Sequence, residues 1–355
     1  MATAPTPARA QHAVAGRPSP RPRRGGRRLN GLQAPRHHER GAAVLMALFV
    51  ATLATVLVSG LFWSQFVLLR TIENQQLVSQ SRLLLRGALD WSRAILREDQ
   101  RTTAQDTLSE PWAQGLEETR LDQLGETSAL ASLASLAGSI EDAQSRFNLR
   151  NLLSAEARID EYELDALRRL ASLLQVPEAA ADLIALRMQQ AWQPRSKASD
   201  ERAGGGGRGA PAPDDGPRPI PLVHPHDLYA VAGLDPKDAT KLAPYVVMLD
   251  VPTPVNLNTA APEVMAARFE RMTLAEARAL ARDRDRTYFV NVGDPRIDRF
   301  RSAGLPNERH ISTGSRYFLV RGQVRLDRAN TRMEARIRRG DRWEQPPRVL
   351  WQREL

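Results

Sequence analysis

The sequence predicts an α+β protein in which one long N-terminal helix crosses a membrane, short helices fill the middle, and an antiparallel sheet forms towards the C-terminus. Three observations carry this reading. Residues 41 to 69 are an apolar run without charge or proline. Apolar positions from Ile159 to Met188 recur at helical spacing. After Leu305 short β-rich runs alternate with turn residues.

The apolar run spans 29 residues, of which 15 are Leu, Val or Phe. About 20 residues suffice for a helical crossing, and each large apolar side chain favours insertion, so the scattered Ser, Thr and Gln do not reverse it. Residues 1 to 41 carry nine arginines against one acid, Glu39. That basic excess holds the preceding segment in the cytoplasm and sends everything after Leu69 outward. The leader is also rich in Pro and Gly, with too few apolar groups to form a core, and is expected to be disordered.

From Ala42 no proline occurs until Pro111. Leu77, Leu84, Ala88, Trp91 and Ile95 continue the apolar stripe beyond the membrane, so one helix is expected over about 42 to 99, roughly 87 Å at 1.5 Å per residue. A membrane anchor followed by an ordinary core helix would show the same pattern. Residues 100 to 135 read as loop and weak helix, and Ile140, Ala143 and Phe147 as a short strand entering a turn.

Two helices follow, one with Ile159, Tyr162, Leu167, Leu170 and Leu174 on one face, the next opened by Pro177. Residues 195 to 221, with four consecutive glycines and five prolines from Pro211 to Pro221, read as a flexible loop. Helical signals resume at Asp227 to Val231, at Asp235-Pro236, after Thr259 and at the capping box Thr273-Leu-Ala-Glu276. Strands are expected at 317–320, 324–326, 333–337 and 349–351, with a turn at Gly340-Asp341. The domain plan is a leader over 1–41, a transmembrane half-helix over 42–69, and the outer half-helix with the first strand over 70–150. An all-α segment over 151–290 and C-terminal strands over 291–355 complete it.

No cysteine occurs, which excludes disulfides and thiol chemistry. The chain's formal charge of +9 is mostly the leader's, so the exported part is close to neutral and offers no electrostatic footprint for nucleic acid.

Gly41-Ala42, preceded by basic residues and followed by the apolar helix, resembles a prepilin leader, which implies cleavage between Gly41 and Ala42 by a prepilin peptidase. Four further stretches are similar to the minor pseudopilin K family of type II secretion. They are residues 70 to 99, Glu141-Asp-Ala-Gln-Ser-Arg-Phe-Asn-Leu-Arg-Asn-Leu152, Pro254-Val-Asn-Leu-Asn-Thr-Ala-Ala-Pro-Glu-Val-Met265 and Ser315-Arg-Tyr-Phe-Leu-Val320. The resemblance implies a type IV pilin-like fold with an inserted all-α domain, anchored once in the bacterial inner membrane with a periplasmic body. It implies a non-enzymatic subunit starting or capping the pseudopilus, with minor pseudopilins I and J, other pseudopilins and the inner-membrane secretion platform as partners. A minor pilin of a type IV pilus is the alternative. Most pilins hold glutamate at the fifth mature position, where this chain has Met46.

Other site readings are weaker. Asn256-Leu-Asn-Thr259 resembles part of a helix-hairpin-helix DNA module, the basis of a DNA-uptake alternative, but the segment after Met265 lacks glycine. His224, His226 and Asp227 lack a third convergent ligand for a metal. No catalytic motif occurs, and no enzyme is expected. The resemblance raises calcium, yet the family's acidic run is replaced here by Leu186-Arg-Met-Gln-Gln-Ala-Trp192. Asp200, Glu201, Asp214 and Asp215 remain, dispersed in the loop, against a need for six to eight oxygens. No cofactor is expected, with calcium as the alternative.

Overall fold

A 64-residue helix, α1 (Glu39–Thr102), opens the chain. The computed structural model describes residues 39–124, 131–192 and 219–355. The uninterrupted helix follows from the missing prolines. At its end the Asp99 carbonyl accepts the Thr103 N–H at 2.9 Å and also the hydroxyls of Thr102 and Thr103, at 3.0 and 3.4 Å. The chain divides into two units, Met1–Leu68 and Leu69–Leu355.

Within the second unit a five-stranded antiparallel sheet has the order β1-β2-β7-β8-β9. The strands are β1 (Leu116–Arg120), β2 (Ala134–Asp142), β7 (Tyr317–Leu326), β8 (Ala329–Arg338) and β9 (Arg348–Glu354). The C-terminal half of α1 lies on this sheet. Leu85, Leu89 and Leu96 share a core with Trp112, Phe318, Val320, Met333 and Ile337. Gly322 permits the approach, since a Cβ there would stand 3.1 Å from the Leu85 side chain. The register of β7 and β8 runs unbroken from Tyr317↔Arg338 to Leu326↔Ala329. Asp327, at φ 50°, takes the left-handed conformation that so short a hairpin connection requires.

Between β2 and β7 in sequence, though not in the sheet, the chain builds a second core. It comprises α2 (Glu161–Leu173), α3 (Ala179–Trp192), α4 (Pro236–Leu242), α5 (Pro262–Arg268), α6 (Leu274–Arg286) and α7 (Pro295–Asp298). Asp160, Asp235 and Asp294 each cap a helix by accepting a backbone N–H, and Thr273 with Glu276 forms a reciprocal capping box. Leu167, Leu170, Ile184, Leu242, Met265, Phe269, Leu280 and Phe289 are buried together.

Several elements differ from expectation. The stretch 100–135 contains β1 and the start of β2, because half-exposed strands such as Leu-Glu-Glu-Thr-Arg carry little apolar alternation. The middle segment is not purely helical. β3 (Phe147–Asn148) pairs in parallel with β4 (Val246–Val247), and β5 (Val255–Asn256) with β6 (Ile311–Ser312), ladders too short to leave a period-2 signal. The 227–231 helix is a 3-10 turn over Pro225–Ala230. The short helix expected after Thr259 is α5, with Ala261 at its N-cap. The strands expected at 317–320 and 324–326 are one, Gly322 marking the seat of α1 rather than a break.

Candidate functional site

Gly41 and Ala42 fall in the opening turn of α1. Beyond them the large apolar side chains from Val44 to Leu69 are exposed, Phe62 by 68% and Trp63 by 71%. Among the described residues this is the one helix long and apolar enough to cross a membrane, and none of its apolar window is covered by protein. So large an uncovered apolar surface requires lipid or the helices of other chains. The helix fits a single-pass membrane anchor.

The three outer motif stretches meet at one buried junction. Asp142, from the end of β2, accepts from the Gln144 backbone N–H at 2.7 Å and from Thr259 Oγ1, Ser315 Oγ and Asn256 Nδ2 at 2.5, 2.6 and 3.0 Å. Gln144 donates to the Pro254 carbonyl and accepts from the Arg316 backbone N–H. Asn148 accepts from the Leu249 N–H and donates to the Val251 carbonyl. The Asn151 side chain donates to the Thr253 carbonyl and accepts from the Thr253 N–H. Asn258 donates to the Phe289 carbonyl and accepts from its N–H. The polar motif residues therefore point inward and tie the sheet to the helices.

The end of α1 enters the same network. Arg339 places Nη2 2.6 Å from Asp99 and 2.6 Å from Asp106, over the face of Phe318. Asp106 also accepts from the Ser315 N–H at 2.6 Å. Burial pushes Asp106 up to about 7 and Asp99 up to about 6, although Arg339 opposes both shifts. Burial raises Asp142 as well, against the hydrogen bonds that favour its charged form. Asp99, Asp106 and Glu110 bring carboxylate oxygens within 4.8 Å of one another. A cation there would have to displace Arg339, and Glu110 is already bonded to Thr103, the Thr107 N–H and the Trp112 indole. The donor set fits an arginine-centred ion-pair network better than a calcium site.

His224 caps the Pro225–Ala230 turn through Nδ1, which accepts from the His226 N–H, while Asp227 accepts from the His224 N–H. The two imidazoles are stacked, and burial followed by Arg353 pushes the His224 pKa down. The trio is thus a local cap. The loop acids Asp200, Glu201, Asp214 and Asp215 lie outside the described residues.

Sequence reasoning missed Asp99, Asp106 and Arg339, which sit in unremarkable polar surroundings, the arginine more than 230 positions beyond the two acids. It also missed the buried pair of Arg268 and Glu163. A charged residue with apolar neighbours on both sides, as in Ala266-Ala-Arg-Phe269, was the available signal.

Two family models described as type II secretion system protein K match residues 145–252 and 255–296. A type II secretion system protein K from Pseudomonas aeruginosa is 26% identical over 314 residues, covering 86% of this chain and 90% of that relative. The structure is similar to a chain of the GspK-GspI-GspJ complex from the type 2 secretion system of enterotoxigenic Escherichia coli. The TM-score is 0.60 at 21% identity, covering 80% of this chain and 98% of that one.

Proposed function

Because the chain belongs to the type II secretion system protein K family, and so is a minor pseudopilin of that system, we propose that it starts or caps the periplasmic pseudopilus that exports folded proteins. The observation that carries the tip position is the body of chain between β2 and β7. It has its own core and adds bulk to a sheet that β2 and β7 complete as neighbours. A subunit carrying such bulk is poorly suited to the interior of a packed filament and well suited to its end. In this reading the fold is type IV pilin-like, with a helix-rich insert over 147–312.

The similarity to a chain solved within a K-I-J complex supports pseudopilins I and J as partners. The arginine-rich leader supports an N-terminus in the cytoplasm and a periplasmic body, and the Gly41-Ala42 pair supports cleavage by a prepilin peptidase. The inward use of Asn256, Asn258 and Thr259 supports a structural role rather than DNA binding or catalysis. Co-purification of the full chain with pseudopilins I and J from detergent-solubilised membranes tests the assignment. A stable ternary complex is expected, and failure of the three to associate at about micromolar concentration, the range of specific interfaces, would overturn it.

A further inference from the structure

Residues 103–110 run from the end of α1 towards the buried Trp112 as a strap with no helix or strand of its own. A few contacts seat it. The Asp106 N–H donates to the Thr313 carbonyl, the Asp106 carbonyl accepts from Asn256 Nδ2, its carboxylate accepts from the Ser315 N–H, and Gln105 donates to the Val290 carbonyl. Gly314 lies so close that a Cβ there would stand 2.9 Å from the Ala104 carbonyl oxygen. Through Thr103, Ala104 and Asp106 the strap forms part of the wall of a cleft of about 790 Å³.

The charges packed around Asp106 do not balance. α1 brings Asp99, the strap itself Glu110 and β2 Asp142, and against these four carboxyl groups β8 ends in one guanidinium, Arg339. Asp99, Asp106 and Asp142 are all buried. The other charges that line the cleft are paired elsewhere, Arg316 and Arg338 with Asp341, and Arg101 with Glu98. Carboxylates this close and out of water cannot all ionise while one arginine serves them, so the compact arrangement is one that holds extra protons. Burial, then Asp142 and Asp99, push Asp106 up to about 7, and burial and Glu110 push Asp99 up to about 6. Asp99 and Asp142 are fixed in α1 and β2, whereas Asp106 and Glu110 belong to the strap. Repulsion among them therefore acts across the strap's own seat.

We infer that residues 103–110 are a proton-operated latch, closed while the cluster holds its extra protons and lifting from Ser315 and Asn256 when Asp99 and Asp106 both ionise. Arg339 then stays with Asp99. The strap is the element that yields, because it has no ladder or helical hydrogen bonds to retain it, and its release widens the existing cleft without unfolding either core. A carboxyl that is harder to ionise in the closed strap than in the open one favours closure at low pH and loses that preference as pH rises. The inference goes beyond the tip position and does not depend on it.

Hydrogen exchange followed by mass spectrometry tests it, on the full chain in neutral detergent at about pH 5.5 and about pH 8, with labelling times scaled for the intrinsic exchange rate. Peptides covering 103–110 should lose protection by about tenfold or more between the two pH values, while peptides from β8 and α2 keep theirs. Asp106→Asn should remove most of the pH difference. Asp99→Asn, which leaves Arg339 to Asp106 alone, should reduce it and serves if Asp106→Asn does not fold. Asp90→Asn, at an exposed position on α1, should leave the difference unchanged. A merely structural loss would lower protection in the variants and leave the pH difference intact. Equal strap protection at both pH values, a strap that tightens as pH rises, a pH difference undiminished in both cluster variants, or matching losses in the β8 and α2 peptides would overturn the inference.

Discussion

Arg268 and Glu163 meet as a two-armed ion pair, Nη1 to Oε2 at 2.6 Å and Nη2 to Oε1 at 2.8 Å, with the guanidinium fully buried. The pair joins α5 to α2. Arg268 also donates to the His310 carbonyl beside β6, and the Tyr162 hydroxyl donates to the Arg268 carbonyl. Since both charges are out of water, the pair matters most when it is broken from one side.

Glu163→Gln should therefore destabilise the body by about 3–5 kcal/mol, the usual cost of orphaning one member of a buried pair. Glu163→Leu combined with Arg268→Met should recover most of that loss. Denaturant unfolding of the full chain in detergent, followed by tryptophan fluorescence, checks both. A double variant as unstable as the single one would show that the arginine acts by shape rather than charge.

The Asp142 hub predicts a second set of costs. Ser315→Ala and Thr259→Val each remove a donor to a fully buried carboxyl, and each should cost roughly 1–3 kcal/mol. Because both serve one acceptor, their effects should not add. Unfolding free energies for the two single variants and the double one give the coupling directly.

The Arg339 network should confer a pH dependence of definite sign. Folded-state values of about 7 for Asp106 and about 6 for Asp99 lie above the unfolded value of about 3.9. The folded protein then holds extra protons between about pH 4 and pH 7. Stability from this cluster is full below the unfolded value and is lost as pH rises through the folded ones. Asp106→Asn should flatten the curve, so the stability of wild type relative to the variant should fall from about pH 5 to about pH 8. A difference that grew over that interval would mean Asp106 is ionised and held by Arg339.

Processing and assembly make the last prediction. Mass spectrometry of the protein extracted with its peptidase should find Ala42 at the N-terminus, whereas Gly41→Leu should retain the leader and abolish secretion while the precursor stays in the membrane. Met46→Ala should leave secretion nearly intact, because an apolar residue at the fifth mature position makes no charge pairing to lose. Loss of secretion at normal protein level in Met46→Ala would show that the side chain has another role in the helix.

Much of this protein could be read without coordinates. The span over 41–69, the caps at Asp235 and Thr273, and the alternation near the C-terminus are local signals, written within a few turns or one strand by hydrophobic periodicity and backbone hydrogen-bond demand. Family motifs marked Asp142, Asn256 and Ser315 as residues of interest, although nothing in their spacing said that they share one carboxylate.

What only the tertiary structure decided is where charge was buried. Asp99, Asp106 and Arg339 look like solvated residues in the sequence and become one network when α1 and β8 end beside each other. Arg336 and Glu334 sit on the same strand, yet one donates to the Met248 carbonyl and the other is shared by two arginines. The reason is physical. Periodicity reports which face of an element is apolar, whereas the partner of a buried charge lies across the fold and is chosen by the packing of elements that the chain separates by a hundred residues or more.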